Sequence, residues 1–297
     1  IFQYIQPDVH HKAGMLCIDC HPSAEIMGDG TFYFHKEEAV KIRCSDCHLA
    51  EKPAKTISFD KAGKETQMIA WLRQYNIAEL NMVATRRASV ALVNTRVEND
   101  EVFVLSKADN KELKSGKHAR FCSGNKAHER LDCETCHTAW AAQCLGCHNS
   151  YEKQEKVFDM FDQKYRKGGW SEYAGESRPE LPVLGVNDSD TGHSVITTFV
   201  PGMIMTIDLS PFVKNTAQLF HRLYAPSAAH TIQKKSRSCT SCHNDPLALG
   251  YGRGDLIFNS SYQWQFEPKY ANNPNDNLPE DAWIGFMKER TGFVSTR

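Results

Sequence analysis

Apolar positions recur at helical spacing over 68–80, with Met68, Trp71, Leu72 and Tyr75 on one face. A second helical pattern covers 155–167, where Val157, Phe158, Phe161 and Tyr165 share a face. Between these stretches the period shortens. The runs 89–93 and 101–106 read as a strand pair joined by the polar stretch 94–100. Later strand-like runs cover 194–200 and 203–209, broken by Pro201-Gly202, and 256–266 reads as extended. Helices are expected at 216–224 and 280–289. No stretch reaches the roughly 18 apolar residues of a membrane span, so none is predicted.

Composition narrows the class. The chain has 297 residues, 41% hydrophobic and 24% charged, enough to build a core. Its 35 basic and 36 acidic residues leave a net charge of −1, which argues against nucleic acid as a partner. The outliers are 11 cysteines and 13 histidines.

Ten of the 11 cysteines fall into five copies of one pattern: Cys17-Ile-Asp-Cys20-His21, Cys44-Ser-Asp-Cys47-His48, Cys133-Glu-Thr-Cys136-His137, Cys144-Leu-Gly-Cys147-His148 and Cys239-Thr-Ser-Cys242-His243. Composition alone predicts on the order of 0.02 copies of C-x-x-C-H. The pattern is the attachment motif for c-type haem. Two thiols one helical turn apart add to the two porphyrin vinyl groups, and the histidine that follows reaches the iron from the proximal side. Structural zinc would need C-x-x-C units in pairs, and five units leave one over. Zinc also gives no reason for histidine to follow every second cysteine. A disulfide framework or a thioredoxin-like pair explains one copy at most.

The chain resembles the multihaem c-type cytochromes of anaerobic, often metal- or sulfur-respiring bacteria. The resemblance runs through Gly14–His21, through Thr138-Ala139-Trp140-Ala141-Ala142-Gln143-Cys144, and from Ala229-His230-Thr231 to Arg237-Ser238-Cys239-Thr240-Ser241-Cys242-His243. It implies a multihaem cytochrome c fold: mostly irregular loops, with short α-helices and a few short β-hairpins wrapped round a haem chain. With no low-complexity linker, 1–297 reads as a single haem-cored domain. Within it, 1–50 carries haems 1 and 2, 51–115 is a haem-free helix-and-hairpin insertion, 116–150 carries haems 3 and 4, and 151–297 combines a haem-free stretch with haem 5. The apolar helix faces are expected to cover porphyrin.

Five motif histidines leave eight others, His10, His11, His35, His118, His128, His193, His221 and His230. Six of these lie within about 15 residues before a motif, as a chain wrapping its haems would place them. The expected distal ligands are His11, His35, His118, His128 and His230, with His10 a further candidate ligand; His193 and His221 read as surface or hydrogen-bonding residues. His35 and His230 each precede a motif by nine residues, a faint internal repeat. In the family a distal histidine often serves a haem attached elsewhere. His10 and His11, read as adjacent residues of an extended segment, would point to opposite sides and so serve different haems. The short spacing from Cys133 to Cys144 predicts that haems 3 and 4 are the closest sequence-adjacent pair.

Two strong nitrogen ligands leave an iron no open position, so such a haem passes electrons and binds no substrate. All five motifs end in histidine, whereas family reductases often carry lysine there. The expected function is therefore electron transfer, not enzymatic: a conduit to redox proteins or extracellular acceptors, as a monomer, homo-oligomer or filament. The alternative is a multihaem reductase of a nitrogen or sulfur oxyanion with one open iron. Cys122 is left without a motif and reads as a plain thiol. Haem propionates would take the net charge from −1 to about −6 when ferric and about −11 when reduced. Haem attachment to C-x-x-C-H takes place outside the cytoplasm, so a periplasmic or extracellular location is expected. The opening Ile-Phe-Gln-Tyr-Ile does not read as an export signal.

Overall fold

The structure is a computed structural model. It describes residues 5–34, 36–49, 52–76, 81–117, 126–144, 147–174, 177–188, 194–215, 219–249 and 254–268. These fall into two compact units, Pro7–Arg130 and Leu131–Arg297 with Ile1–Gln6. The helix expected at 280–289 lies outside the described residues.

In the unit Pro7–Arg130, single-turn helices come first: α1 Val9–Lys12, α2 Cys17–Cys20, α3 Ser23–Met27, α4 Lys36–Ala39 and α5 Cys44–Cys47. The rest is built on two antiparallel three-stranded sheets. One orders β1 Thr56–Ser58, β2 Asn81–Ala84 and β3 Ala91–Leu92; the other orders β4 Thr95–Glu98, β5 Glu101–Leu105 and β6 Glu112–Lys114. The expected pairing of 89–93 with 101–106 is corrected: β3 pairs with β2 and β5 with β4 and β6, and polar 94–100, expected as a connector, is mostly strand β4. The actual turn is Asn99-Asp100, both left-handed at φ 51° and 57°, which suits a two-residue hairpin between right-twisted strands. Val83, Leu92, Val102 and Val104 form a buried cluster, and Met15, Ile42, Cys47 and Leu49 from beside the first two motifs pack onto it. The sheets are thus the floor on which these motifs rest.

The helix expected at 68–80 is α6, Lys64–Leu72. It stops early because Gln74 turns left-handed (φ 56°) and Tyr75 N–H closes onto the Ala70 carbonyl at 3.0 Å. The expected shared apolar face divides. Ala70 and Tyr75 are buried, whereas Met68, Trp71 and Leu72 are more than 60% exposed.

The second unit centres on a five-stranded sheet. Along it run β8 Cys147–Asp159, β9 Lys164–Ala174, β11 Val183–Asp188, β12 Ser194–Asp208 and β13 Leu219–Pro226, in the order β11-β12-β8-β9 with β13 also on β12. The short pair β7 Ala141–Cys144 and β10 Ser177–Glu180 and the hairpin β14 Gly254–Phe258 with β15 Trp264–Pro268 complete it. The only helices among its described residues are α7 Cys133–His137 and α8 Thr240–His243. Strands of this length exceed the few short hairpins expected.

Two helical expectations are overturned here. The 155–167 stretch is the β8–β9 hairpin, with Phe158 opposite Tyr165. Asp159 Oδ1 accepts the N–H groups of Phe161 (2.9 Å) and Asp162 (3.1 Å), and Gln163 is left-handed; this side-chain turn competes with the helix that the spacing suggested. Of the stretch 216–224, residues 219–224 lie in strand β13, where pairing with β12 overrides local propensity, and 216–218 lie outside the described residues. Pro201-Gly202 does not break a strand pair but sits at a register shift within β12, and 256–266 folds back as a hairpin.

Candidate functional site

In four motifs the cysteines occupy one helical turn. Cys17 and Cys20 bound α2, Cys44 and Cys47 bound α5, Cys133 and Cys136 lie in α7, and Cys239 leads into α8, which contains Cys242. In three of them the motif histidine's N–H returns to the first cysteine's carbonyl: His21 to Cys17 (2.9 Å), His48 to Cys44 (2.8 Å) and His243 to Cys239 (2.8 Å). The fourth motif differs. Cys144 ends β7, and Cys147 and His148 open β8 between β9 and β12, while 145 and 146 lie outside the described residues.

The third motif residue fastens each of the first three helices. Asp19 and Asp46 are buried, and each Oδ2 accepts the N–H of the residue before its motif, Leu16 (2.8 Å) and Arg43 (2.9 Å). Each Oδ1 reaches a hairpin loop far along the chain: Asp19 takes Lys107 N–H (2.6 Å) and Asp46 takes Arg86 N–H (2.9 Å). The two loops match. Each begins with a buried hydroxyl residue, Thr85 or Ser106, and closes with a left-handed residue, Ser89 or Asn110. The basic side chains repeat the pattern, Lys107 Nζ donating to Ile18 O and Arg86 Nε to Ser45 O. In the third motif buried Thr135 donates from Oγ1 to Ile196 O of β12 at 2.8 Å. The 51–115 insertion is therefore a double cradle for motif helices. The aspartates at equivalent positions were a signal in the sequence; their loop partners carried none.

The motif histidines are oriented through Nδ1. His21 faces Glu25 Oε2 at 2.6 Å, His48 faces Gly116 O at 2.8 Å, and His137 faces Gln233 O at 2.9 Å. An acceptor at Nδ1 selects the tautomer whose basic nitrogen is Nε2, the arrangement of iron-ligating histidines.

Among the expected distal ligands, His10 lies on α1 with its ring centroid 5.9 Å from that of His48. Two imidazoles sharing one metal at about 2.0 Å each hold their centroids about 6 Å apart. Asp8 caps α1 and its Oδ1 takes both the N–H (2.8 Å) and Nδ1 (3.0 Å) of His10. His11 is exposed. The two are helical neighbours, about 100° apart, not the opposed residues of an extended strand as expected. His128 ends the turn Lys126–His128. His230 is exposed and left-handed (φ 51°), with Nδ1 facing Ala228 O at 2.9 Å. His35, His118, His193 and Cys122 lie outside the described residues, as do the side chains of Cys144, Cys147, His148 and His221.

The segment that leads into the fifth motif wraps the third. Gln233 N–H donates to His137 O (2.9 Å) and Arg237 N–H to Cys136 O (2.7 Å), while Thr138 bridges Ile232. The Arg237 guanidinium, 4% exposed, donates to Ser241 O (2.5 Å) and Pro182 O (3.3 Å) and pairs with Asp245 (3.4 Å). Its Nε is buried with no protein acceptor.

The donor set fits haem. Among the described residues no three His, Cys, Asp or Glu side chains converge on one point, and a porphyrin, which brings four nitrogens, asks the protein for two. Burial, assisted by Asp19, pushes the Cys20 thiol up to about 11, and burial pushes Cys47 up to about 12; a redox dithiol needs the reverse. Leu16, Ile18, Ile26, Met27, Phe32 and Phe34 are exposed around the first motif, an apolar surface of the kind a porphyrin face covers. No family model, curated protein or solved structure matches the chain.

Proposed function

We propose that the chain is an electron-transfer protein that carries five covalent c-type haems, held mostly between two histidines, in the periplasm or outside the cell. The resemblance to multihaem cytochromes and the five motifs support this reading. The observation that carries it is the His10–His48 pair: two rings at the spacing of axial ligands, each with Nδ1 facing an acceptor. Bound haem would supply a one-electron iron couple. The protein's part is to attach each porphyrin through two cysteines, fix the axial rings, cover apolar edges and offer buried donors such as Arg237 Nε to propionates. Redox proteins or extracellular acceptors are the proposed partners, and a filament is one form the conduit can take.

A low-temperature electron paramagnetic resonance (EPR) spectrum of the oxidised protein tests the reading. Low-spin signals alone are expected. A high-spin signal in fully loaded protein would mark an open iron and favour the reductase. Electron microscopy of secreted material distinguishes filament from separate carrier.

A further inference from the structure

The three motif histidines with described Nδ1 acceptors are not alike. His48 and His137 face neutral backbone carbonyls, whereas His21 faces a carboxylate, Glu25 Oε2, at 2.6 Å. The Glu25 side chain is only 3% exposed. Its other oxygen, Oε1, accepts the N–H groups of Lys41 (2.7 Å) and Ile42 (3.0 Å), just before the second motif. Three hydrogen bonds therefore hold this carboxylate against the ring, and it is placed by the fold rather than by its own short helix.

We infer that Glu25 is a positioning residue that lowers the potential of the first haem, as the Asp8 carboxylate at His10 Nδ1 would for the second. This rests on the haem reading above. A carboxylate that accepts Nδ1–H pushes electron density toward Nε2 and strengthens it as a donor. A stronger axial donor favours ferric over ferrous iron and so lowers the potential. A backbone carbonyl does the same more weakly.

The test is Glu25→Gln in the haem-loaded protein, read by potentiometric titration and by EPR. One of the five midpoints should move to higher potential and the g-values of the same haem should spread, with the other four unmoved. Glu25→Asp keeps the charge but withdraws it by one methylene, and should shift the same haem in the same direction by less. If the Gln variant does not load, the unsubstituted protein still decides: two low-spin ferric signals must carry the narrow g spread of a carboxylate-bonded histidine, one through Glu25 and one through Asp8, and fewer than two overturns the role. Unchanged midpoints and g-values in a loaded variant, or five neutral-imidazole signals in the parent, overturn the role of Glu25. Absence of covalent haem would instead overturn the function itself.

Discussion

Asp46 Oδ1 accepts the backbone N–H of Arg86 at 2.9 Å, so a residue inside a C-x-x-C-H motif is bolted to a hairpin loop remote in sequence. Its second oxygen caps its own helix at Arg43. Asp46→Ala removes both acceptors from a site 1% exposed and should cost about 3–6 kcal/mol, since hydrogen bonds to charged groups contribute roughly 1.5–3 kcal/mol each. Asp46→Asn keeps one acceptor and should cost about half as much. Denaturant midpoints of the loaded protein measure both, and equal stability of all three proteins would show that the clamp is idle.

Mass spectrometry checks stoichiometry. The denatured protein should carry five haem masses, one for each motif, including the fourth, which the structure places between strands. Four haems with Cys144 and Cys147 unmodified would mean that this strand setting is the true one and that the motif there is not an attachment site.

His10 and His11 should behave differently. His10→Ala is expected to convert one low-spin haem to high-spin or a substitute ligand, because His10 is the ring beside His48. His11→Ala should leave all five haems of the monomer low-spin. A loss confined to the assembled state of the His11 variant would mark that exposed ring as a ligand to a neighbouring copy. The reverse pattern in monomers would overturn the His10–His48 assignment.

Lys107 gives a pH dependence. Burial holds its ammonium below its usual value of 10.5 despite the help of Asp19. A base depressed in the folded state binds fewer protons than in the unfolded chain, so stability rises with pH in the window just below 10.5. Lys107→Met, whose backbone N–H still reaches Asp19, should flatten that rise. Parallel denaturation curves at pH 8 and 10 make the comparison, and an equal rise in both proteins would assign the effect to other groups.

The motif helices were legible in the sequence because they are local: cysteine spacing and the histidine after it need no tertiary knowledge. Strand β5 was legible for the same reason, through alternation. What escaped depended on partners far along the chain. Asp159 looks like any helix-face carboxylate until it closes a turn under Phe161. Glu25 sits four residues after His21, a spacing that suggests contact, but nothing local announces that 41 and 42 will donate to it. Apolar spacing misled at Met68, Trp71 and Leu72, because in this chain an outward apolar face need not be an error.

The matched loops at Thr85 and Ser106 give the insertion the character of a gauge. Each loop grips one motif helix, and both belong to one small hairpin body. The separation between the first two attachment sites is therefore set crosswise, by strand spacing, and the connector from His21 to Cys44 is relieved of that duty. Lengthening the connector around Gly28–Gly30 would leave the spacing of the two motif helices as it was. Shifting the register of β4 against β5 by two residues would change it. On the haem reading proposed above, electronic coupling between these two sites would be written in the stretch 51–115, which holds no C-x-x-C-H motif.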